Sequence, residues 1–201
     1  MIKNGVILTK EALRKLYIDE KKSSKFIAEK FGCSEHKVNY WLLAHNINKR
    51  SISEAVYAKH NPDGDPFEFA PPKNLEEAEL FGLGLGLYWG EGTKANKNSI
   101  RLGNTDPKLI KKFMDFMVMF FNIEKADMHF SLQIFTDVDI KEAMDFWIKE
   151  LRISRHQISK PVVTVSGSIG TYRRKSLYGV MTVMYHNKKL RDLLVGLLPN
   201  Q

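Results

Sequence analysis

Apolar residues recur at helical spacing along the first sixty positions. Leu13, Leu16 and Tyr17 form one set, Phe26, Ile27, Ala28 and Phe31 a second, and Val38, Trp41 and Leu42 a third. Three- and four-residue spacing places each set on one side of a short helix. Each set also has a start signal. Thr9 precedes the first, Ser23 or Ser24 the second and Ser34 the third, and short side-chain oxygens there accept hydrogen bonds from the free N–H groups of a first turn. Between the second and third sets lies "FGCSEH", in which Gly32 suits the left-handed end of a helix. The pattern predicts three short helices, which residues 53–60 extend.

The period changes in the second half. "NLEEAELFGLG" predicts a helix capped by Asn74, with acids in its first turn. "SIRLGN" alternates as a short strand. "TDPKLIKKFMDFMVMFFNI" is amphipathic at helical period, with Thr105 as the expected cap and Pro107 in the first turn. Its methionines read as core filler. "DMHFSLQIF" alternates: Phe130, Leu132 and Ile134 on one face, His129, Ser131 and Gln133 on the other. "DVDIKEAMDFWIKEL" predicts a helix, "KPVVTVSGS" and "SLYGVMTVMY" two strands joined by "IGTYRRK", and "NKKLRDLLVGLL" a closing helix. This mixture predicts an α+β domain with one polar, partly basic sheet face, preceded by a small all-α domain. Residues 61–73, with four prolines, a glycine and three acids, read as a stiff connector. The expected division is 1–60, a linker at 61–73, and 74–201.

Charge sharpens that division. The chain of 201 residues carries +8 overall. Residues 1–60 hold 12 Lys/Arg against 6 Asp/Glu, residues 61–80 one against 6, and residues 81–201 18 against 11. Two basic modules flank an acidic connector, which favours a polyanionic partner. Cys33 is the single cysteine, which excludes an intrachain disulfide and a cysteine zinc cluster and fits a reducing compartment. The opening residues lack a signal-peptide pattern, and no apolar run reaches the ~20 residues a membrane helix needs. An intracellular setting is expected, in a prokaryotic or phage-infected cytoplasm.

The stretch "IAEKFGCSEHKVNYWL" joins a short helix, a Gly turn and a second capped helix. Over residues 8–50 the chain resembles the small helix-turn-helix domains of prokaryotic and phage DNA-binding proteins. That resemblance implies that "SEHKVNYW" enters the major groove. Its candidate contacts are Ser34, His36, Lys37, Asn39 and Tyr40, with Lys49 and Arg50 on the phosphate backbone. The plainer reading is a solvated face on a protein-binding bundle.

"LFGLGLGLYWGEGTK", residues 80–94, is unusual in another way. Gly82, Gly86 and Gly90 recur every fourth residue, a stripe on which a second helix can approach closely. Each glycine costs about 1 kcal/mol of helix stability relative to alanine, so packing must compensate. The expected contact is a dimer interface of Gly82, Leu83, Gly86, Leu87 and Gly90. It ends on Glu91, an acid at the end of a helix where the dipole disfavours it, which points to a compensating cation. Two such carboxylates in a symmetric pair suit Mg²⁺ or another divalent metal at a scissile phosphate.

Residues 84–92, "GLGLYWGEG", resemble the nine-residue motif of the LAGLIDADG homing endonucleases. Gly86 and Gly90 match its small packing positions, Glu91 its catalytic, metal-binding acid and Gly92 its closing glycine. The resemblance implies a LAGLIDADG-like domain with a DNA-binding sheet saddle. A single motif further implies a homodimer on near-palindromic double-stranded DNA. Trp89 departs from the motif, where the family often has another acid. So does the run after it, with one clear strand before Asp106 and an additional helix over 139–151. On the sheet and its loop, Arg101, Gln133, Arg173, Arg174 and Lys175 are the candidate DNA contacts.

The expected activity is a site-specific, metal-dependent DNA endonuclease making double-strand breaks. The rival is a regulator that reuses the fold to bind DNA without cutting it, and an RNA-splicing cofactor is a third reading. The six histidines show no zinc-ligand spacing, and the glycine run lacks the Lys-Ser/Thr of a phosphate-binding loop.

Overall fold

A computed structural model describes residues 7–61, 64–165 and 176–199. The chain is α+β and divides into two compact units, Met1–Pro66 and Phe67–Gln201.

The first unit is helical. Helix α1 (Lys10–Leu13) is capped by Thr9 and continues as a π-helical segment, Arg14–Asp19. Ser23 caps α2 (Ser24–Phe31), accepting from the Phe26 N–H at 3.0 Å. Gly32 ends α2 in the left-handed region at φ 61°, which glycine adopts without a side-chain clash. Ser34 caps α3 (Glu35–Ala44). Leu8, Leu13, Leu16, Tyr17, Ile27, Ala28, Val38, Leu42 and Ile47 form the core. Phe26, expected on the inner face of α2, is exposed, with Lys22 Nζ 5.5 Å from its ring centre. Trp41 is only half-buried and stacks on His45. Ser51 and Glu54 form a reciprocal capping box at the start of α4 (Ile52–His60), none of whose residues is buried.

The division between the units falls inside the expected connector. Phe67 and Phe69 pack on the second core, and the N–H groups of Glu68 and Ala70 donate to the carbonyls of Phe121 and Phe120. Composition marked residues 61–73 as a linker, but two aromatic side chains make part of it a strap on the second unit.

That unit opens with α5 (Leu75–Glu91), capped by Asn74. It continues through β1 (Ile100–Asn104), α6 (Pro107–Phe121), β2 (His129–Phe135), α7 (Ile140–Leu151), β3 (Val162–Thr164), β4 (Val180–Tyr185) and α8 (Lys188–Gly196). Asp106, not Thr105, caps α6. Its carboxylate accepts from the Lys108 N–H at 2.8 Å, and Pro107 holds the first helical position. Both residues are good caps. Pro107 must follow the cap directly, which selects Asp106.

The sheet order is β1-β4-β2-β3. Strand β4 runs antiparallel to both β1 and β2, while β2 and β3 are parallel. The last strand in sequence thus sits inside the sheet, and β3 and β4 do not pair with each other. Ile100, Leu102, Phe130, Leu132, Ile134, Met181 and Val183 face the core. Helix α6 covers it with Ile110, Phe113, Met114, Phe116, Met117, Phe120 and Phe121. Trp147 is fully buried, its indole N–H donating to the Tyr178 carbonyl at 2.8 Å. Gln157 is also buried; its amide nitrogen donates to the carbonyls of Lys125 and Met128.

Candidate nucleic-acid interface

In the first unit, Ser34, His36 and Tyr40 are exposed on α3, and Lys37 and Asn39 are half-buried. Ser34 already uses its hydroxyl to cap the helix, accepting from the Lys37 N–H at 3.3 Å. The Asn39 carbonyl oxygen accepts from Ser24 Oγ at 3.5 Å, which ties this amide to α2. Tyr40 is 61% exposed and Leu43 76% exposed; with His36 they continue one stripe along α3. Leu43 is a candidate contact that the sequence reading did not single out.

Lys49 and Arg50 differ sharply. Lys49 is exposed. Arg50 is engaged in the fold: Nη1 donates to the Lys21 carbonyl at 2.8 Å, and Nη2 to the carbonyls of Tyr17 and Lys22. Its guanidinium lies 4.1 Å from the centre of the Tyr17 ring, and its backbone N–H donates to the Tyr17 hydroxyl at 3.0 Å. A cation is favourable beside free carbonyls at a helix end, and Arg50 fills that role. Only its long-range contacts reveal this; the local string "NKR" looks like a basic tail.

In the second unit the glycines of α5 separate into two faces. Gly84 is buried, and a β-carbon built there would lie 2.1 Å from Cγ of Phe116. Gly92, the residue after the helix, is closed by the Tyr88 ring in the same way, at 2.3 Å. Tyr88 itself is fully buried, and burial raises its phenol above the ordinary value while Arg191 beside it acts in the opposite sense. On the other face, a β-carbon at Gly82, Gly86 or Gly90 would meet nothing within 4 Å. Leu83, 45% exposed, and Trp89, 49% exposed, flank this open stripe, and Leu87 is half-buried.

Glu91 is exposed at the end of α5. The chain after it is tied to the sheet. Gly92 pairs with Leu102, and the Thr93 N–H donates to the Arg101 carbonyl at 2.9 Å. Lys94 Nζ donates to the Trp89 carbonyl, so a cation already sits at this helix end. The Lys94 carbonyl accepts from Arg191 Nη2 at 2.7 Å, which fastens the loop to α8.

The sheet's other face is polar. Arg101, Met184 and His129 form one row across β1, β4 and β2, and Gly103, Thr182 and Ser131 the next. Alternation puts Gln133, which is exposed, on the face of His129. Arg101 and Gln133 therefore share the outward face, as the alternation predicts. Arg101 Nε donates to Ser99 Oγ at 2.9 Å, and Ser99, fully buried, donates to Asn96 Oδ1. Arg173, Arg174 and Lys175 lie outside the described residues.

Among the described residues, no group of three or more His, Cys, Asp or Glu side chains could hold a metal ion. No described helix is long and apolar enough to cross a membrane. Comparison with protein-family models, with curated proteins and with solved structures yields no match to this chain.

Proposed function

We propose that the protein is a DNA endonuclease of the LAGLIDADG type, acting as a homodimer, with its helix-turn-helix unit extending the DNA footprint. One observation carries the reading. Glu91 stands exposed at the end of a helix with an open glycine stripe, and the chain beyond it is hydrogen-bonded to β1, which bears Arg101 on the sheet's polar face. An acid, a bare helix face and a polar sheet thus belong to one unit.

The chemistry of the donors fits a hard divalent cation. Among the described residues Glu91 belongs to no group of three or more ligating side chains, so one chain alone supplies too few ligands. A second copy packed along Gly82, Gly86 and Gly90 would bring a second Glu91, and the DNA phosphate would supply further oxygens. A cation bound there polarises the phosphodiester and makes a water more acidic. Arg101 and Gln133 would hold the duplex on the sheet. His36, Tyr40 and Lys49 would contact it from the helix-turn-helix unit. Arg50 has no part in this contact, because its guanidinium is committed to carbonyls of its own unit.

A second reading has its own observation. Lys94 already neutralises the end of α5, so the helix dipole at Glu91 does not by itself require a metal. On that reading the protein is a regulator that binds DNA and leaves it intact.

The deciding experiment is a cleavage assay on supercoiled plasmid libraries, with Mg²⁺ or EDTA, comparing the wild type with Glu91→Gln. Metal-dependent cuts at a restricted set of sites, absent in the variant, support the endonuclease. Salt-sensitive binding without cuts in any divalent metal replaces it with the regulator.

A further inference from the structure

Two histidines and an arginine meet at one end of the polar sheet face, and nothing in the helix-turn-helix or the acidic motif calls for them. The rings of His129 and His186 are 5.4 Å apart, edge to face. His129 begins β2, and His186 follows the last residue of β4. Both are exposed. Arg101 lies in the row of His129, across Met184.

Two of the three side chains are anchored by hydrogen bonds. Ser99 accepts from Arg101 Nε, and among the described residues no hydrogen bond engages the two Nη groups of Arg101. Ser99 is fully buried and is fixed in turn by Asn96. The Asp127 carbonyl lies 3.1 Å from His129 Nδ1. A carbonyl can only accept, so Nδ1 carries the hydrogen and Nε2 is left to act on a ligand. Arg101 from β1 acts on His186, and Asp127 lies in the turn before β2. The Asp127 carboxylate acts on Tyr185, whose phenol is raised by burial first and by Asp127 second.

This is a cationic cluster that works against itself. Partial desolvation, then the charges of His129 and Arg101, hold the His186 imidazole below its ordinary value. An anion placed among the three would remove that conflict, because each proton gained would then face a negative charge. A tetrahedral phosphate suits the donors: a guanidinium and, once the rings are protonated, an imidazolium N–H from each histidine.

We infer that Arg101, His129 and His186 form a phosphate site on the sheet, occupied by a DNA backbone phosphate and coupled to proton uptake by the two histidines. The inference rests on the DNA-binding reading for the source of the phosphate, but the anion site itself stands apart from it. Binding should tighten as pH falls, by at most about tenfold per pH unit for each proton taken up. Arg101, a guanidinium charged across this range, supplies the part of the attraction that does not depend on pH.

The test has two arms on the full chain. In the first, histidine NMR titrations are run with inorganic phosphate and with chloride at equal ionic strength. Phosphate should raise the apparent pKa of His129 and His186, chloride should not, and Arg101→Gln should remove the effect. Unchanged titrations with phosphate overturn the site. In the second, duplex DNA affinity is measured at about pH 5.5 and about pH 8, on either side of histidine titration. The wild type should gain affinity on acidification, and the paired change His129→Gln with His186→Gln should lose most of that gain. A full gain retained in the variant overturns the backbone-phosphate assignment. A phosphate response without any duplex binding overturns it too, together with the DNA-binding function, and leaves a free anion as the ligand.

Discussion

Gly84 on α5 and Phe116 on α6 touch so closely that a single added methyl would lie 2.1 Å from the aromatic Cγ. Gly86, two residues further on, would meet nothing within 4 Å. Adjacent glycines of one motif therefore answer to opposite demands. Gly84 lets α5 settle on the aromatic core of its own unit, and Gly86 keeps the outer face bare.

Alanine separates these roles. Gly84→Ala should destabilise the second unit by about 1–3 kcal/mol through overpacking. Gly86→Ala should stabilise the free chain by up to about 1 kcal/mol through helix propensity. Urea denaturation followed by near-ultraviolet circular dichroism reads both, and equal losses at the two positions would contradict the two-face description.

A larger side chain tests the proposed partner of the open stripe. A β-carbon at Gly82 meets nothing within 4 Å in the monomer, and a leucine there (Gly82→Leu) would hold a second α5 away. The expected result is a dimer in the wild type and a monomer in the variant by analytical ultracentrifugation, with the fold intact. A variant that remains dimeric moves the interface elsewhere.

Arg50 and Lys49 should part company in the same way. Arg50→Ala removes charge-assisted bonds to the carbonyls of Tyr17, Lys21 and Lys22, at an expected cost of about 1.5–3 kcal/mol to the first unit. Lys49→Ala should leave stability unchanged. If this unit grips DNA as proposed, it should also lower the salt slope of binding by about one ion. Thermal melts and affinity measured across a salt series distinguish the two.

Asp192 supplies a pH dependence of known sign. Burial raises its carboxyl, but hydrogen bonds from Lys188 and Arg191, and their charges, outweigh it and hold the group below 3.8. A depressed folded value stabilises the protein above the unfolded value, and that contribution disappears as pH falls through the folded one. Asp192→Asn should flatten the acid limb of the stability curve slightly and cost less than about 1 kcal/mol at neutral pH, since the Asp192 carboxylate is exposed. An unchanged acid limb would show that the bonds contribute nothing.

Much of the local structure was legible in the sequence. Thr9, Ser23, Ser34 and Asn74 cap the helices they precede, because an N-terminal hydrogen bond involves atoms only two or three residues apart. Gly32 takes the left-handed turn for an equally local reason. The alternation of β2 put Phe130, Leu132 and Ile134 inward, since side-chain direction follows from strand geometry alone. The open stripe of Gly82, Gly86 and Gly90 follows from a helical period that every residue of α5 obeys.

What the tertiary structure alone decided depends on contacts between distant residues. Alternation assigns a residue to a face but not a strand to its neighbour, so β4 lying between β1 and β2 could not be read locally. The role of Arg50 required carbonyls 28 to 33 positions away. Phe67 and Phe69 looked like parts of a linker because proline and acid content is a local signal, whereas their packing is not. His129 and His186 are 57 positions apart in sequence, and only the pairing of β2 with β4 brings their rings together on the face that carries Arg101.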